Sequence, residues 1–95
     1  MPGHGGHRAR LRGRLLKGGG EALLDHELIE YLLALALPRR DTKPMAKALL
    51  RHFGCYAAVV QARPADLLRF GLTEGTVGAL KIAEASAIRM LKSGF

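Results

Sequence analysis

The chain has 95 residues, 48% of them hydrophobic, and its 15 basic and 8 acidic side chains give a formal net charge of +7. This length and apolar content predict one domain with a modest core and exclude a disordered chain. The longest apolar run, residues 31–37, is too short to cross a bilayer, no secretory signal pattern opens the sequence, and a single cysteine excludes an internal disulfide. We therefore expect a cytoplasmic protein with no membrane partner.

Charge is distributed unevenly along the chain. Residues 1–20 contain five basic and no acidic side chains, residues 21–37 contain four acidic and no basic ones, and residues 38–53 contain five basic against one acidic. A basic excess of this size predicts affinity for polyanions that decreases as salt is added, although it says nothing about the fold.

Hydrophobic periodicity predicts helices and no strand. After a flexible tail at residues 1–6, we expect a single helical domain over residues 7–95, an all-α compact bundle of five to six short helices. The second helix, capped by Asp25, has apolar residues around most of its circumference and should be the central buried one. Phe53, on the apolar face of the third helix, should also be buried. The predicted helices run over residues 7–17, 26–36, 45–53, 56–61, 64–70 and 74–91.

The segment over residues 38–54 places three cations at the positive end of the third helix. Pro38 ends the preceding helix, so the two arginines that follow it lie in a turn, and Asp41 or Thr42 is the natural N-cap. Unpaired N–H groups at this helix end would attract an anion, and three basic side chains there make sense if a phosphate docks. The alternative is a solvated turn that Asp41 partly neutralises. The candidate phosphate contacts are Arg39, Arg40 and Lys43.

A second candidate contact lies between the last two helices. A hydrophobic residue, Gly71 and a second hydrophobic residue separate them, which is the pattern of a helix-hairpin-helix over residues 64–92. Backbone groups at Gly71, Thr73 and Gly75 would approach a phosphate, and Lys81 would support them from the long helix. Thr73 stands where the usual motif has a second glycine, and the next residue adds a carboxylate, so the alternative is a hairpin that serves only packing.

The sequence offers little for catalysis or metal binding. His4 with His7, and His52 with Cys55, have i, i+3 spacing, but a stable zinc site needs three or four ligands. The cysteine has no base partner, and we expect it to be a small, half-buried structural residue. The carboxylates of residues 25, 27 and 30 are explained as a helix cap and a solvated face. We therefore expect a chain that is not an enzyme, with no catalytic residues, metal or cofactor.

The strings HRARLR and PRRDTKPMAK, together with the helical pattern around them, resemble the N-terminal domain of the RadC family of bacterial proteins, which are labelled DNA repair proteins. The similarity runs from residue 6 through the hairpin to Leu91. Residues 48–70 and the hairpin are also similar to the tandem helix-hairpin-helix region of the excinuclease C subunit. RadC-family proteins normally continue into a metal-dependent JAB/MPN domain, whose residues are absent from this chain. The resemblance implies a DNA-contacting helical domain whose further partner is the C-terminal catalytic domain of the same full-length protein.

These observations predict a domain that binds duplex or branched DNA weakly and without sequence preference, through the phosphate backbone. The alternative is a protein-interaction or scaffolding module that positions the absent metallohydrolase domain. Basic residues gathered on one face would favour DNA binding, and basic residues dispersed over all faces would favour the alternative.

Overall fold

The computed structural model describes residues 4–94, with side chains from residue 6 onward, and this part of the chain is helical with no strand. The predicted all-α bundle is confirmed. A short 3-10 turn, Gly20–Ala22, joins the first two helices. The six α-helices are α1 (His4–Gly18), α2 (Asp25–Ala36), α3 (Lys43–Phe53), α4 (Tyr56–Gln61), α5 (Pro64–Phe70) and α6 (Glu74–Lys92).

The starts of α1 and α2 differ from the sequence-based boundaries. α1 begins at His4, so residues 4–6 are helical and do not belong to the flexible tail that the sequence predicts, while residues 1–3 lie outside the described part. Glycine disfavours this start, but side chains in the next turn of α1 bind α2 and the turn after it, as described below. At α2 the N-cap is Leu24 rather than Asp25, and its N–H donates to Glu27 Oε1 at 2.8 Å.

The core is built around α2, which packs against α1, α3, α4 and α6. Its position as the central helix is therefore confirmed. Phe53 is only half-buried, at the edge of this core, because it lies in the last turn of α3 and packs from one side. The buried apolar side chains that contact one another are Ile29, Leu33, Ala46, Leu49, Val59, Leu67, Leu72, Val77 and Leu80.

An ion pair joins α1 to the start of α2. Arg14 donates to both carboxylate oxygens of Glu27, at 2.8 and 3.1 Å, and to the carbonyl of Ala22 at 2.7 Å. The two parallel bonds fix the guanidinium against the carboxylate plane. They hold α1 across the N-terminal turn of α2.

None of the described helices combines the length and the apolar content that crossing a membrane requires.

The Arg14–Glu27 pair should make stability depend on pH in the acid range. Hydrogen bonds from Arg14 and then from the Leu24 N–H lower the pKa of the Glu27 carboxyl to about 2, from an ordinary value of 4.5. Because the folded-state pKa is depressed, this stabilisation is present above about pH 4.5 and is lost as the pH falls towards 2. Glu27→Gln should therefore reduce the free energy of unfolding by about 1–3 kcal/mol near pH 7, after allowing for screening at the exposed arginine.

The measurement is a set of denaturant titrations of the parent and Glu27→Gln at about pH 7, 4 and 2.5. The difference between the two proteins should shrink towards zero at the lowest pH. Glu21→Gln, at an exposed position in the neighbouring 3-10 turn, is the matched control and should behave like the parent. A difference that stays constant across this pH range would contradict the assignment.

Candidate nucleic-acid interface

The turn that carries Arg39 and Arg40 is held in place by Arg8 of α1. The Arg8 guanidinium donates to the carbonyl of Leu37 at 3.1 Å and also to the carbonyls of Pro38 and Arg40. These acceptors lie just beyond the C-terminus of α2, where helix carbonyls lack intrahelical partners. Sequence reasoning did not single out Arg8, although it lies in one of the two distinctive strings and its acceptors lie in or beside the other. The contact fixes the path of the chain between α2 and α3.

Polar contacts also fix the start of α3. Thr42 is the N-cap by backbone position, but its buried hydroxyl donates to the carbonyl of Glu30 at 2.8 Å instead of capping the helix. The Glu30 carboxylate, 3% exposed, accepts from His7 Nε2 at 2.7 Å, and His26 Nε2 lies 3.7 Å from its other oxygen. The expectation that Glu30 belongs to a solvated face is therefore wrong, because His7 of α1 and His26 of α2 lie against its buried carboxylate.

The N-terminus of α3 offers an anion fewer backbone donors than the sequence suggests. The N–H of Lys43 donates to Asp41 Oδ1 at 3.1 Å, and Pro44 has no N–H. Of the first three residues of α3, at most Met45 has a free donor. An anion at this end of the helix would therefore be bound mainly by side chains rather than by a row of N–H groups.

Exposed cations continue from this turn along α3. Lys43, Lys47 and Arg51 are four residues apart, so they lie on one side of the helix over about 12 Å. Neither these three side chains nor those of Arg39 and Arg40 form a salt bridge with another residue in the part of the chain that the structure describes. The regular spacing of residues 43, 47 and 51 was visible in the sequence, but residues 47 and 51 were not included in the predicted site. We call this surface the α3 basic stripe; it consists of Arg39, Arg40, Lys43, Lys47 and Arg51.

The connection between α5 and α6 depends on Gly71. Its φ of 120° lies in the region that favours glycine, and its N–H donates to the Leu68 carbonyl at 3.0 Å. The next N–H, of Leu72, donates to the Leu67 carbonyl at 3.2 Å, and both of these leucine side chains are buried in the core. This pair of bonds is a Schellman motif, which ends α5 and turns the chain into α6. Gly71 thus has a conformational role in this turn, which a residue with a side chain could adopt only with strain.

The other hairpin residues form bonds within the protein. Thr73 Oγ1 caps α6 by accepting the N–H of Thr76 at 3.2 Å, so this donor is not available to a phosphate. Gly75 lies exposed in the first turn of α6 and does not have a positive φ. Lys81 Nζ donates to the carbonyl of Ala62 at 2.6 Å and to Glu84 Oε1 at 2.9 Å. Lys81 therefore ties α6 to the connection between α4 and α5.

The α3 basic stripe and the hairpin do not form one cluster, but they adjoin at a ring contact. His52 follows Arg51 at the end of the stripe, Phe70 precedes Gly71, and the centroids of the His52 and Phe70 rings are 5.0 Å apart. A ligand bound along α3 would therefore reach the hairpin across these two rings.

The described residues contain no group of three histidine, cysteine, aspartate or glutamate side chains that could hold a metal ion. Cys55 is free and exposed, so the expectation of a half-buried cysteine is wrong. Its backbone forms the N-cap of α4, which places it at the surface between two helices.

Comparison with known proteins finds homologues over about nine tenths of the chain. It is 49% identical over 84 residues to a UPF0758 protein of Rhodobacter capsulatus, a match that covers 87% of this chain and 39% of that protein. It is 44% identical over 88 residues to a UPF0758 protein of Ruegeria pomeroyi, which covers 92% of this chain and again 39% of the relative. The chain thus spans about two fifths of the length of these curated relatives. No family model matches it, and no solved structure matches it.

Two glycine substitutions should change stability in opposite directions. Gly71→Ala should destabilise the domain by about 1–3 kcal/mol, because a side chain is strained at this positive φ. Gly78→Ala is the control: Gly78 lies exposed within α6, and nothing lies within 4 Å of an added Cβ, so it should stabilise by up to about 1 kcal/mol. Thermal and denaturant unfolding of both variants would measure this. Equal effects would show that the turn does not require glycine.

Proposed function

We propose that the chain is a helical domain that binds duplex or branched DNA weakly and without sequence preference, as part of a RadC-like protein associated with DNA repair. The observation that carries this proposal is the α3 basic stripe, whose five exposed cations follow one turn and one helix side with no acidic partner among the described residues. Cations gathered on one side of a helix form a continuous surface for a polyanion, and this supports DNA binding, although other exposed cations lie on α1, α5 and α6.

The chemistry of the stripe suits phosphate better than base edges. Lysine and arginine side chains neutralise phosphates and release counterions, which supplies affinity without sequence information. The stripe contains no asparagine or glutamine with which α3 could read adenine. This surface therefore supports weak binding to the phosphate backbone of DNA.

The hairpin contributes a weaker second contact in this proposal. The N–H groups of Glu74 and Gly75 lie in the first turn of α6 and have no intrahelical acceptor. The Glu74 carboxylate beside them repels a phosphate, and the Thr73 cap already occupies the next donor. DNA would therefore be bound chiefly by α3, with Gly71, Thr73 and Gly75 approaching its backbone and Lys81 shaping the surface behind them.

The homologues support the family part of the proposal only at a coarse level. The name UPF0758 states no activity, and the link to DNA repair comes from the resemblance of the two distinctive strings to RadC-family proteins. We propose that the chain itself is not an enzyme, and that any catalysis belongs to a metal-dependent JAB/MPN domain of a full-length protein. That domain would also be a partner of the helical domain.

Removing cations from the stripe should weaken binding equally for all DNA sequences. Arg39→Ala with Arg40→Ala, and separately Lys47→Ala with Arg51→Ala, should each flatten the plot of log affinity against log salt by about two units of slope. Fluorescence anisotropy with two duplexes of unrelated sequence, over a series of salt concentrations, measures this slope.

The matched control is Arg89→Ala with Lys92→Ala, which removes the same charge from exposed positions in the last turn of α6. It should leave the slope close to that of the parent. If all three double variants flatten the slope equally, net charge rather than the stripe determines binding. If the parent does not bind DNA, the proposal fails.

A second candidate function, protein interaction, is favoured by the C-terminal half of α6. Every residue from Ala85 to Lys92 is exposed, so the last two turns stand clear of the bundle. Four large apolar side chains between residues 82 and 91 are 45–71% exposed: Ile82, Ile88, Met90 and Leu91. The concentration of exposed apolar side chains in this one segment is the observation that favours an interaction site there. In this alternative, the partner is the remaining domain of a full-length protein whose length equals that of the relatives.

Joining this chain to the remaining part of the Rhodobacter capsulatus relative should slow amide hydrogen exchange in residues 82–92 at least ten-fold, because docking buries these turns. Ile82→Lys with Met90→Lys should abolish that protection. Leu16→Lys, at a 79% exposed position of α1, is the control and should retain it. Equal exchange in the isolated and joined chains would rule out docking on α6.

A further inference from the structure

A cleft between α3 and α5 lies where the α3 basic stripe adjoins the hairpin. It has a volume of about 300 Å³ and is lined by His52, Phe53, Asp66, Arg69 and Phe70. Its three rings contact one another, with centroids 4.7 Å apart for His52 and Phe53, 5.0 Å for His52 and Phe70, and 5.9 Å for the two phenylalanines. The phenylalanines are half-buried against the core, and the histidine is exposed. An aromatic surface is thus open to solvent in the cleft.

Charged groups surround these rings. Asp66 accepts from Arg63 Nε at 3.3 Å and from Arg69 Nη1 at 3.0 Å, and these contacts, that of Arg63 first, lower the pKa of its carboxyl. Two guanidinium groups against one carboxylate leave one positive charge at the α5 side. Arg51 adds another at the end of α3, next to His52. The rim of the cleft therefore attracts a phosphate while its aromatic surface offers no charge.

We propose that this cleft binds an unpaired nucleobase, so that the preferred ligand is DNA with a single-stranded segment. Aromatic rings beside a basic groove bind single strands because any base can stack on a ring while the cations hold the backbone. The Arg69 guanidinium and the Asp66 carboxylate can bond the polar edge of a stacked base. This inference rests on the proposed DNA binding and adds the structural feature of DNA that the domain selects.

The cleft's position matches this role. A strand whose phosphates follow Lys43, Lys47 and Arg51 reaches the end of α3 beside His52. The turn of the hairpin begins at Gly71, immediately after Phe70. A base turned towards the protein at this point enters the cleft, while the backbone continues to the first turn of α6.

The test compares three labelled probes by fluorescence anisotropy: a thymidine oligonucleotide of about 15 nucleotides, an abasic strand of equal length, and a duplex. The abasic strand keeps the phosphates and lacks the bases. The parent should bind the thymidine strand at least about five-fold more tightly than the abasic strand, the lower end of what base stacking on an aromatic ring supplies. His52→Ala should lose most of this difference and leave the abasic affinity unchanged.

Two further variants separate stacking from structural damage. His52→Phe keeps a ring at an exposed position and should retain the preference, and Phe70→Leu keeps apolar volume but should lose it. Lys47→Ala should weaken all three probes by a similar factor, because it removes only a phosphate contact.

The outcomes distinguish this inference from the function on which it rests. Equal binding of the thymidine and abasic strands by the parent would overturn the base-binding cleft and leave DNA binding intact. Equal weakening of both strands by His52→Ala would also overturn it, because the residue would then act through the backbone. No binding of any probe would overturn the proposed function and the cleft together.

Discussion

The Arg8 guanidinium determines how the first half of the domain is assembled. It crosses from α1 to carbonyls on both sides of Pro38, where α2 has ended and α3 has not begun. One planar group with several donors bonds three carbonyls of this connection, so a turn containing two adjacent arginines is held in one conformation. The position of the α3 basic stripe follows from this contact. The hydroxyl of Thr42 and the carboxylate of Glu30 extend the same connection into the core.

This arrangement separates structural from available cations. Arg8 and Arg14 form bonds within the protein. The cations of the α3 basic stripe have no such partner among the described residues. A formal charge of +7 is therefore a poor guide to the binding surface, since several of the charges that produce it stabilise the fold. Other exposed cations, such as Arg12 and Arg89, also lack a salt bridge among the described residues, so the stripe is distinguished by the one turn and one helix side that its members share.

Much of the fold was predictable because it depends on local patterns. The spacing of apolar residues located all six helices, Pro38 and Gly54 separated them, and Gly71 marked the turn before α6. The apolar pattern could not predict which residues, distant in the sequence, the polar side chains contact. Burial of Glu30 depends on His7, 23 residues away, and the role of Lys81 depends on a carbonyl 19 residues away. Periodicity carries no information about such pairs.

The candidate site was predictable to a similar degree. The cations at residues 39, 40 and 43 are exposed at the start of α3, as their position before a helix suggested, and the same four-residue spacing would have extended them to Lys47 and Arg51. The supply of free N–H groups was overestimated, because Asp41 and Pro44 each remove a donor at that end of the helix. The aromatic cleft could not be derived from sequence at all, since His52 and Phe70 meet only through the packing of α3 and α5.

The exposed end of α6 can unfold separately from the rest of this small domain. Its first half is attached to the core by Val77 and Leu80, and it unfolds with the bundle. Its last two turns have no buried side chain to hold them, so their order is governed by a helix–coil equilibrium set by alanine-rich local sequence. They can melt and re-form while the remainder stays folded. Binding of a partner to these turns is thus coupled to helix formation, and its affinity depends on the fraction of molecules in which the turns are already helical.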